Sequence, residues 1–402
     1  MKIAMMVRSY LPVPRPKDIV YANIDLTVDI AEGLSRRGHT VDVYAPIGSK
    51  LKRAGVVTCN LRPLATNLEE FRQLLFNTES LIHGIPQLWD NYMAYEMFNR
   101  ALKAEYDVLH FDHPESAMLL AKSHQSIPVV YTLHDPIHQP HKEGFELFQT
   151  ANQHYISISD NQRRDAPDLP YLRTIHHGID TKLFGFSAKA DNYLLYYGRI
   201  VPEKGVKEAI EVARKTHHRL LIIGPTYPDA MVYFDQYVKP NLDDQILYLG
   251  FVEREQMPKY IQKAKALLTP VQWEEPFGLT SIESMSCGTP VISFNRGAAP
   301  EIIQNGKTGF VVNTTAEMVE AVNNIKKIKR QDARDYTLAN YSISSMVKNY
   351  ESAFKEVISE QRITPRVVSR RLRRVPNILR EASSKRQLQK VIKATKPRPK
   401  RR

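Results

Sequence analysis

The chain has 402 residues, 43% of them hydrophobic and 25% charged, which is length for about two or three domains and apolar surface for a large core. That balance excludes a collagen, a coiled coil or a wholly disordered chain, and no apolar run approaches the ~18 residues of a membrane-spanning helix. The net charge of +13 is local: residues 361–402 hold 16 of the 56 Lys and Arg and one acid, Glu381, whereas the first 360 residues carry 40 basic and 42 acidic side chains.

The opening run Met1–Val7 has one basic residue, a short apolar stretch and no cleavage site behind it. It reads as a buried strand and not as a signal peptide. Further strands are expected at Thr40–Ala45, Asp107–Phe111, Pro128–Leu133, Tyr155–Ser159 and Leu172–Ile175, short β-rich runs bounded by polar or turn residues. A helix over 20–37 places Ile24, Val28, Ala31 and Leu34 on one face and stops at Gly38. Of 60–105, Trp89–Leu102 reads as helix and the rest stays unassigned. Cys59 and Cys287 match no metal spacing and suit a reducing, cytoplasmic compartment.

The periodicity breaks around His176–Phe186, and a second series follows. Its strands are Tyr193–Tyr197, Arg219–Ile223, Ile246–Gly250, Ala266–Pro270, Pro290–Phe294 and Gly309–Val312. Its helices are Glu203–Thr216, Arg254–Lys265, Leu279–Ser286 and Ala316–Lys329. Alternation of this kind predicts an α/β chain of two Rossmann-like, doubly wound domains facing across a cleft. The expected divisions are 1–180, 181–341, a helix within 342–360, and a basic tail over 361–402. That helix carries Ile343, Val347, Tyr350 and Phe354 on one face.

Two motifs carry chemistry. In the run from Trp273 to Pro290 a strand ends, a loop presents Glu275, and a helix begins at about Gly278. The amides of Gly278, Leu279 and Thr280 would face an anion in the cleft, with the positive end of the helix behind them. Glu275 and Glu283 bracket that anion site. A ligand with hydroxyl-bearing groups on both sides of its phosphates, such as a nucleotide-sugar, suits this arrangement. The second motif, Gly198-Arg199-Ile200-Val201-Pro202-Glu203-Lys204-Gly205, leaves the first strand of the second domain. Arg199 and Lys204 can there neutralise a diphosphate.

These residues resemble glycosyltransferase family 4, retaining enzymes of the GT-B fold. The resemblance covers Lys2 to about Ile358 and rests on Gly198–Gly205, on the Glu275/Glu283 spacing, and on Cys287-Gly288-Thr289-Pro290-Val291-Ile292. Gly297–Ile303, Gly306–Gly309, His177-Gly178-Ile179-Asp180 and Arg37-Gly38-His39 add to it. It implies that Arg199 and Lys204 bind the donor diphosphate, Glu275 the sugar hydroxyls and Glu283 the ribose. His134, at the end of a first-domain strand, matches the histidine that faces the transferred sugar, which gives a catalytic set of His134, Arg199, Lys204 and Glu275. The donor-binding set adds Gly198, Gly224, Val252, Phe277, Gly278, Leu279, Thr280 and Glu283, with base recognition near Gly224 and Phe251-Val252. The first domain would serve the acceptor, and the last helix would cross back onto it. One departure stands out: Lys17–Asn23 lacks the glycine pair of the family's loop before the first helix, where the backbone approaches donor and acceptor.

The resemblance further implies retention by front-face displacement, a UDP-sugar as the leading donor, and domain closure to exclude water. No Asp-x-Asp motif is present, so no metal or other cofactor is expected. The acceptor stays open among glycan, lipid-linked and small-molecule classes. Two alternatives remain, a nucleotide-sugar epimerase or hydrolase of the same fold, and a binding protein working through its tail. The tail is expected to be disordered or to bind an anionic membrane, peripheral to the inner face. Nucleic acid is less favoured, since no aromatic residue follows Phe354.

Overall fold

The structure is a computed structural model and describes residues 1–76 and 84–373. Met1–Lys355 form one compact unit and Glu356–Arg402 a second. Runs such as Val291–Phe294, buried at every position, belong in parallel sheets covered on both faces. Seven strands, β1 (Lys2–Met6), β2 (Thr40–Tyr44), β3 (Gly55–Val57), β4 (Val108–Phe111), β5 (Val129–Thr132), β6 (Gln153–Ser157) and β7 (Tyr171–Thr174), form a sheet in the order β3-β2-β1-β4-β5-β6-β7. Six more, β8 (Tyr193–Tyr197), β9 (Arg219–Ile223), β10 (Ile246–Tyr248), β11 (Ala266–Thr269), β12 (Val291–Phe294) and β13 (Gly309–Val312), form a second in the order β10-β9-β8-β11-β12-β13.

Neighbours pair in parallel throughout, with Ile3 opposite both Val41 and Val108, and Leu268 opposite both Tyr196 and Ile292. The observed architecture is the expected one, two doubly wound α/β lobes. Strand order reverses beside β1 and β4 in one lobe and beside β8 and β11 in the other, and crevices open at the carboxyl ends of strands at such reversals. The loops after β8 and β11 hold the two motifs above. Large buried side chains such as Phe98, Phe111, Tyr131 and Tyr155 fill one core, each side chain of this size contributing about 1.5–3 kcal/mol by burial.

Several elements differ from the sequence reading for local reasons. The helix expected from Glu203 begins at Val206, because Gly205 takes φ +73 and a β-carbon there would lie 1.8 Å from the Pro270 carbonyl oxygen. A single 3₁₀ turn, Pro202–Lys204, precedes it. The helix expected over Arg254–Lys265 is only Met257–Ile261, since Pro258 belongs in a first turn; Arg254 is thereby left on a loop. Ala316–Lys329 is observed as Thr315–Asn324 followed by a 3₁₀ turn. Helices Leu68–Phe76, Met118–Ser123, Gln139–Phe148 and Arg330–Asn340 had no sequence expectation. Cys59 and Cys287 are free. Among the described residues no helix is long and apolar enough to cross a membrane.

The chain passes between the lobes twice, and the two passages touch. Ile179 N donates to Tyr341 O at 2.9 Å, and Ile343 N to Ile179 O at 3.3 Å. A β-carbon on Gly178 would meet the Ser342 carbonyl oxygen at 2.5 Å. After the second passage a helix, Ile343–Arg373, runs past the expected end near 360. Within the first unit it packs on the N-terminal lobe: Val347 lies against Gly33, where a β-carbon would sit 2.4 Å from Cγ2, and the Tyr350 hydroxyl is 3.0 Å from Thr132 Oγ1. Glu351 accepts from Arg37 Nε at 2.6 Å, lies 3.0 Å from His39 Nε2, and takes Lys355 Nζ at 2.7 Å. The Arg37-Gly38-His39 motif is thus a clamp on this helix. The basic tail expected over 361–402 lies for the most part outside the described residues.

Candidate functional site

The Gly198–Gly205 loop is shaped by close backbone approaches. Gly198 N donates to Ile223 O at 3.0 Å, and a β-carbon on Gly224 would fall 1.7 Å from Gly198 O. Only glycine permits that contact. Arg199 leaves this loop half-exposed, 3.9 Å from Glu203. The Lys204 ammonium lies on Glu275 Oε2, which also accepts from Trp273 Nε1 at 2.7 Å, and sits 5.2 Å from the centre of the Trp273 ring.

The loop bearing Glu275 is pinned from behind. Ala298 N donates to Glu275 O at 2.9 Å, and Glu274 accepts from Gly297 N at 2.8 Å. Gly278 takes φ +101 at the cap of helix Leu279–Ser286, and no side chain caps that helix end. A helix start without a side-chain cap directs its first amides into the cleft, where the macrodipole favours an anion. Glu283 is buried at 3% exposure and faces Arg254, whose Nη2 donates to Oε1 at 3.2 Å. Burial raises the Glu283 carboxyl above the usual carboxylate range, and Arg254 partly offsets this.

The opposite wall comes from the N-terminal lobe. His134 Nε2 is 2.9 Å from Asp112 Oδ1, and Asp112 also accepts from Thr27 Oγ1. Burial would raise the Asp112 carboxyl, but His134 and Thr27 hold it down at about 2. The His134 ring stacks on His177 at 5.3 Å and 18°, and His177 meets Phe277 edge-on at 4.9 Å. Burial pushes the His177 imidazole well below its ordinary range, which keeps it neutral. The Nδ1 atoms of His134 and His177 are buried without a hydrogen-bond partner.

In place of the glycine pair, Tyr21 caps helix Ala22–Arg36 at φ −150, with its ring 6.3 Å from Tyr10 and 6.1 Å from Phe71. Arg15 ties the same loop down, donating to Asp25 at 2.6 Å and to the Ile19 carbonyl. Asp29 on this helix faces the cleft, and burial pushes its carboxyl up to about 6 despite Arg254.

All of the expected site residues line one cavity of about 580 Å³: His134, Gly198, Arg199, Lys204, Gly224, Val252, Glu275, Phe277, Gly278, Leu279, Thr280 and Glu283. Lys204 is engaged by Glu275 and does not stand free beside Arg199. Sequence reasoning missed Arg254, Asp112, His177 as a stacking partner, and Trp273 as a donor to Glu275. Trp273 and His177 stood inside motifs already quoted. Arg254 and Asp112 carried no local signal, because their partners lie 29 and 22 residues away.

Comparison with known proteins bears on the family and the fold. The family model described as "Glycosyl transferases group 1" matches residues 182–343, and that described as "Glycosyltransferase Family 4" matches residues 26–183. An uncharacterized 41.2 kDa protein of the cps region of Klebsiella pneumoniae is 30% identical over 171 residues, covering 40% of this chain and 46% of that protein. The chain thus matches less than half the length of this relative. Sucrose-phosphate synthase of Thermosynechococcus elongatus superposes with a TM-score of 0.70 at 17% identity, over 90% of this chain and 100% of that one. Anabaena HepE, solved in complex with UDP and glucose, superposes with a TM-score of 0.63 at 17% identity, over 89% and 100%. The fold is GT-B. Together the two family models span both lobes, and the chain belongs to the group 1 glycosyltransferases of family 4 type.

Proposed function

We propose that this protein transfers a glycosyl group from a nucleotide-diphosphate sugar, a UDP-sugar first among candidates, to a hydroxyl acceptor with retention of anomeric configuration. The observation that carries the reading is the convergence of Arg199, Lys204 and the capless start of helix Leu279–Ser286 on one cavity bracketed by Glu275 and Glu283. The UDP and glucose of the Anabaena structure support the donor class.

On this reading the diphosphate lies against Arg199, Lys204 and the amides of Gly278, Leu279 and Thr280, in the role that a metal ion serves in other transferases. Glu283 holds the ribose hydroxyls, with Arg254 orienting it. Glu275 and His134 hold the sugar from opposite walls, and Gly224 and Val252 border the base. The bond from the anomeric carbon to phosphate oxygen breaks, and its electron pair leaves on the diphosphate. The acceptor oxygen bonds the anomeric carbon on the same face, and its proton passes to the departing phosphate oxygen. Preorganised charge at the leaving group contributes about 2.7–4 kcal/mol per donor group in comparable sites.

The test is a panel of nucleotide-sugars incubated with the full chain, reading nucleoside diphosphate release with Glu275→Ala as control. Release from one donor, lost in the variant, supports the reading. No binding or consumption of any donor overturns it.

A further inference from the structure

A second cavity of about 380 Å³ adjoins the donor cleft and has no role in the reading above. It opens at the carboxyl ends of β1, β4 and β5 and is closed by helix Gln139–Phe148 and by Trp273. His134, Asp135 and Trp273 border both cavities, so the two meet beside the Lys204–Glu275 pair. We propose that this cavity binds the glycosyl acceptor, and that the acceptor is a neutral, hydroxyl-rich molecule, a carbohydrate. The proposal rests on the glycosyltransferase reading and specifies its second substrate.

The charge of the lining decides the class. Arg8 is the one Lys or Arg among the lining residues, and its charge is already matched: Nη1 donates to Asp90 at 3.3 Å and to the Tyr10 hydroxyl at 2.9 Å. Asp112 is likewise held by His134 and Thr27. Glu115 and Asp135 are exposed at the rim. A phosphate or carboxylate entering here would meet like charge with no free cation, a juxtaposition that interfaces avoid.

A hydroxyl both donates and accepts, and so pairs with carboxylates and imidazoles alike. The cavity supplies both, with His113 and His141 among its imidazoles. Burial holds His113 well below its ordinary range, which leaves it neutral and able to do either. At the junction, His134 borders both cavities and is itself held by Asp112 through Nε2 at 2.9 Å. Charged and imidazole side chains outnumber the apolar lining residues Pro114, Leu133, Pro136, Ile137, Phe145 and Trp273, a balance that suits a hydroxylated ligand better than an alkyl chain. Trp273 adds a flat apolar surface for a sugar ring beside the reacting centre.

The experiment uses the full chain with its consumed donor and three sets of probes. The neutral set is methyl glucoside, maltose and N-acetylglucosamine, the anionic set glucose phosphate, and the lipid set a polyprenyl-phosphate-linked sugar in detergent. Neutral probes should be glycosylated and raise diphosphate release above donor hydrolysis, whereas glucose phosphate should be taken at least ~10-fold less well. Glu115→Gln and His141→Ala should lower the ratio of transfer to hydrolysis by about 10-fold, the effect of losing a hydrogen bond to a polar or charged group. Glu115 is exposed, and circular dichroism of each variant checks its fold. Donor consumption with transfer only to the phosphorylated or lipid-linked probes overturns the proposal and leaves the donor reading standing, as does an equal fall in transfer and hydrolysis in both variants. Absence of any donor consumption overturns both.

Discussion

Gly297 stands against the backbone of Glu275: a β-carbon on Gly297 would lie 2.2 Å from the Glu275 carbonyl oxygen and 2.4 Å from its amide nitrogen. The loop that presents the carboxylate is therefore cast against a residue that does not line the cavity. Gly297→Ala should push Glu275 out of place and reduce donor turnover by about 100-fold, the cost of a misplacement near 1 Å. Gly144→Ala, where an added β-carbon meets nothing within 4 Å, should leave turnover unchanged. Steady-state kinetics of the two variants compare them directly.

Lys204 and Glu275 share one ion pair under the Trp273 ring. Lys204→Ala removes positive charge from the proposed diphosphate site and leaves Glu275 without its cation. The expected result is a fall in kcat of about 10²–10³-fold, with weaker binding of the nucleoside diphosphate by calorimetry. Unchanged diphosphate affinity would show that Lys204 serves only to hold Glu275.

Glu351 joins the last helix to Arg37 and His39. Its carboxyl is held at about 2, first by Lys355 and then, against the effect of burial, by His39 and Arg37. A carboxyl lowered on folding stabilises the protein above its unfolded pKa of ~4.5, and the contribution is lost as pH falls through the folded value. Glu351→Gln should lower Tm by a few degrees at pH ~7, at about 2–4 °C per kcal/mol. The gap should close as pH falls from ~4.5 toward ~2. Thermal melts across that range check it.

Asp29 behaves in the opposite sense, burial pushing its carboxyl up to about 6. The folded state holds that proton more tightly than the unfolded state, so the cost of Asp29 to folding grows as pH rises from ~3.8 to ~6 and is complete above ~6. Asp29→Asn should raise Tm at pH ~7.5, and the gain should shrink to nothing by pH ~4. A gain that persists at pH ~4 would assign the effect to packing instead of charge.

The sheets were legible because most of their strands are short and apolar on both faces, and the two loops of the candidate site because glycine, proline and charge recur there at fixed spacing. Strands Tyr193–Tyr197 and Gly309–Val312 and helix Leu279–Ser286 fall where the pattern puts them. β3 was not legible, since three residues at a sheet edge carry no period. Gln139–Phe148 was hidden by Pro140 and Gly144, the first tolerated in an opening turn. Arg330–Asn340 is polar enough to pass for loop, yet Arg330 donates to the carbonyls of Ser187, Ala264 and Gln262 at 2.6–2.9 Å. Within the site, the places of Arg199, Lys204, Glu275 and Glu283 around one cavity were readable because motifs fixed them. Arg254 and Asp112 were not, because their meaning comes from side chains that folding brings to them.

The laced passages at Ile179 and Ile343 have a mechanical consequence. Two strands of chain bonded to each other behave as one spine, and a motion that keeps those bonds is a swing about it, with little slide or stretch. Atoms beside the spine then hardly travel, and those far out on the lever arms travel most. His177, two residues from Ile179, makes such a contact on Phe277, and on the proposed function the imidazole stack reaching His134 would serve as a fixed bearing while the outer cleft swings.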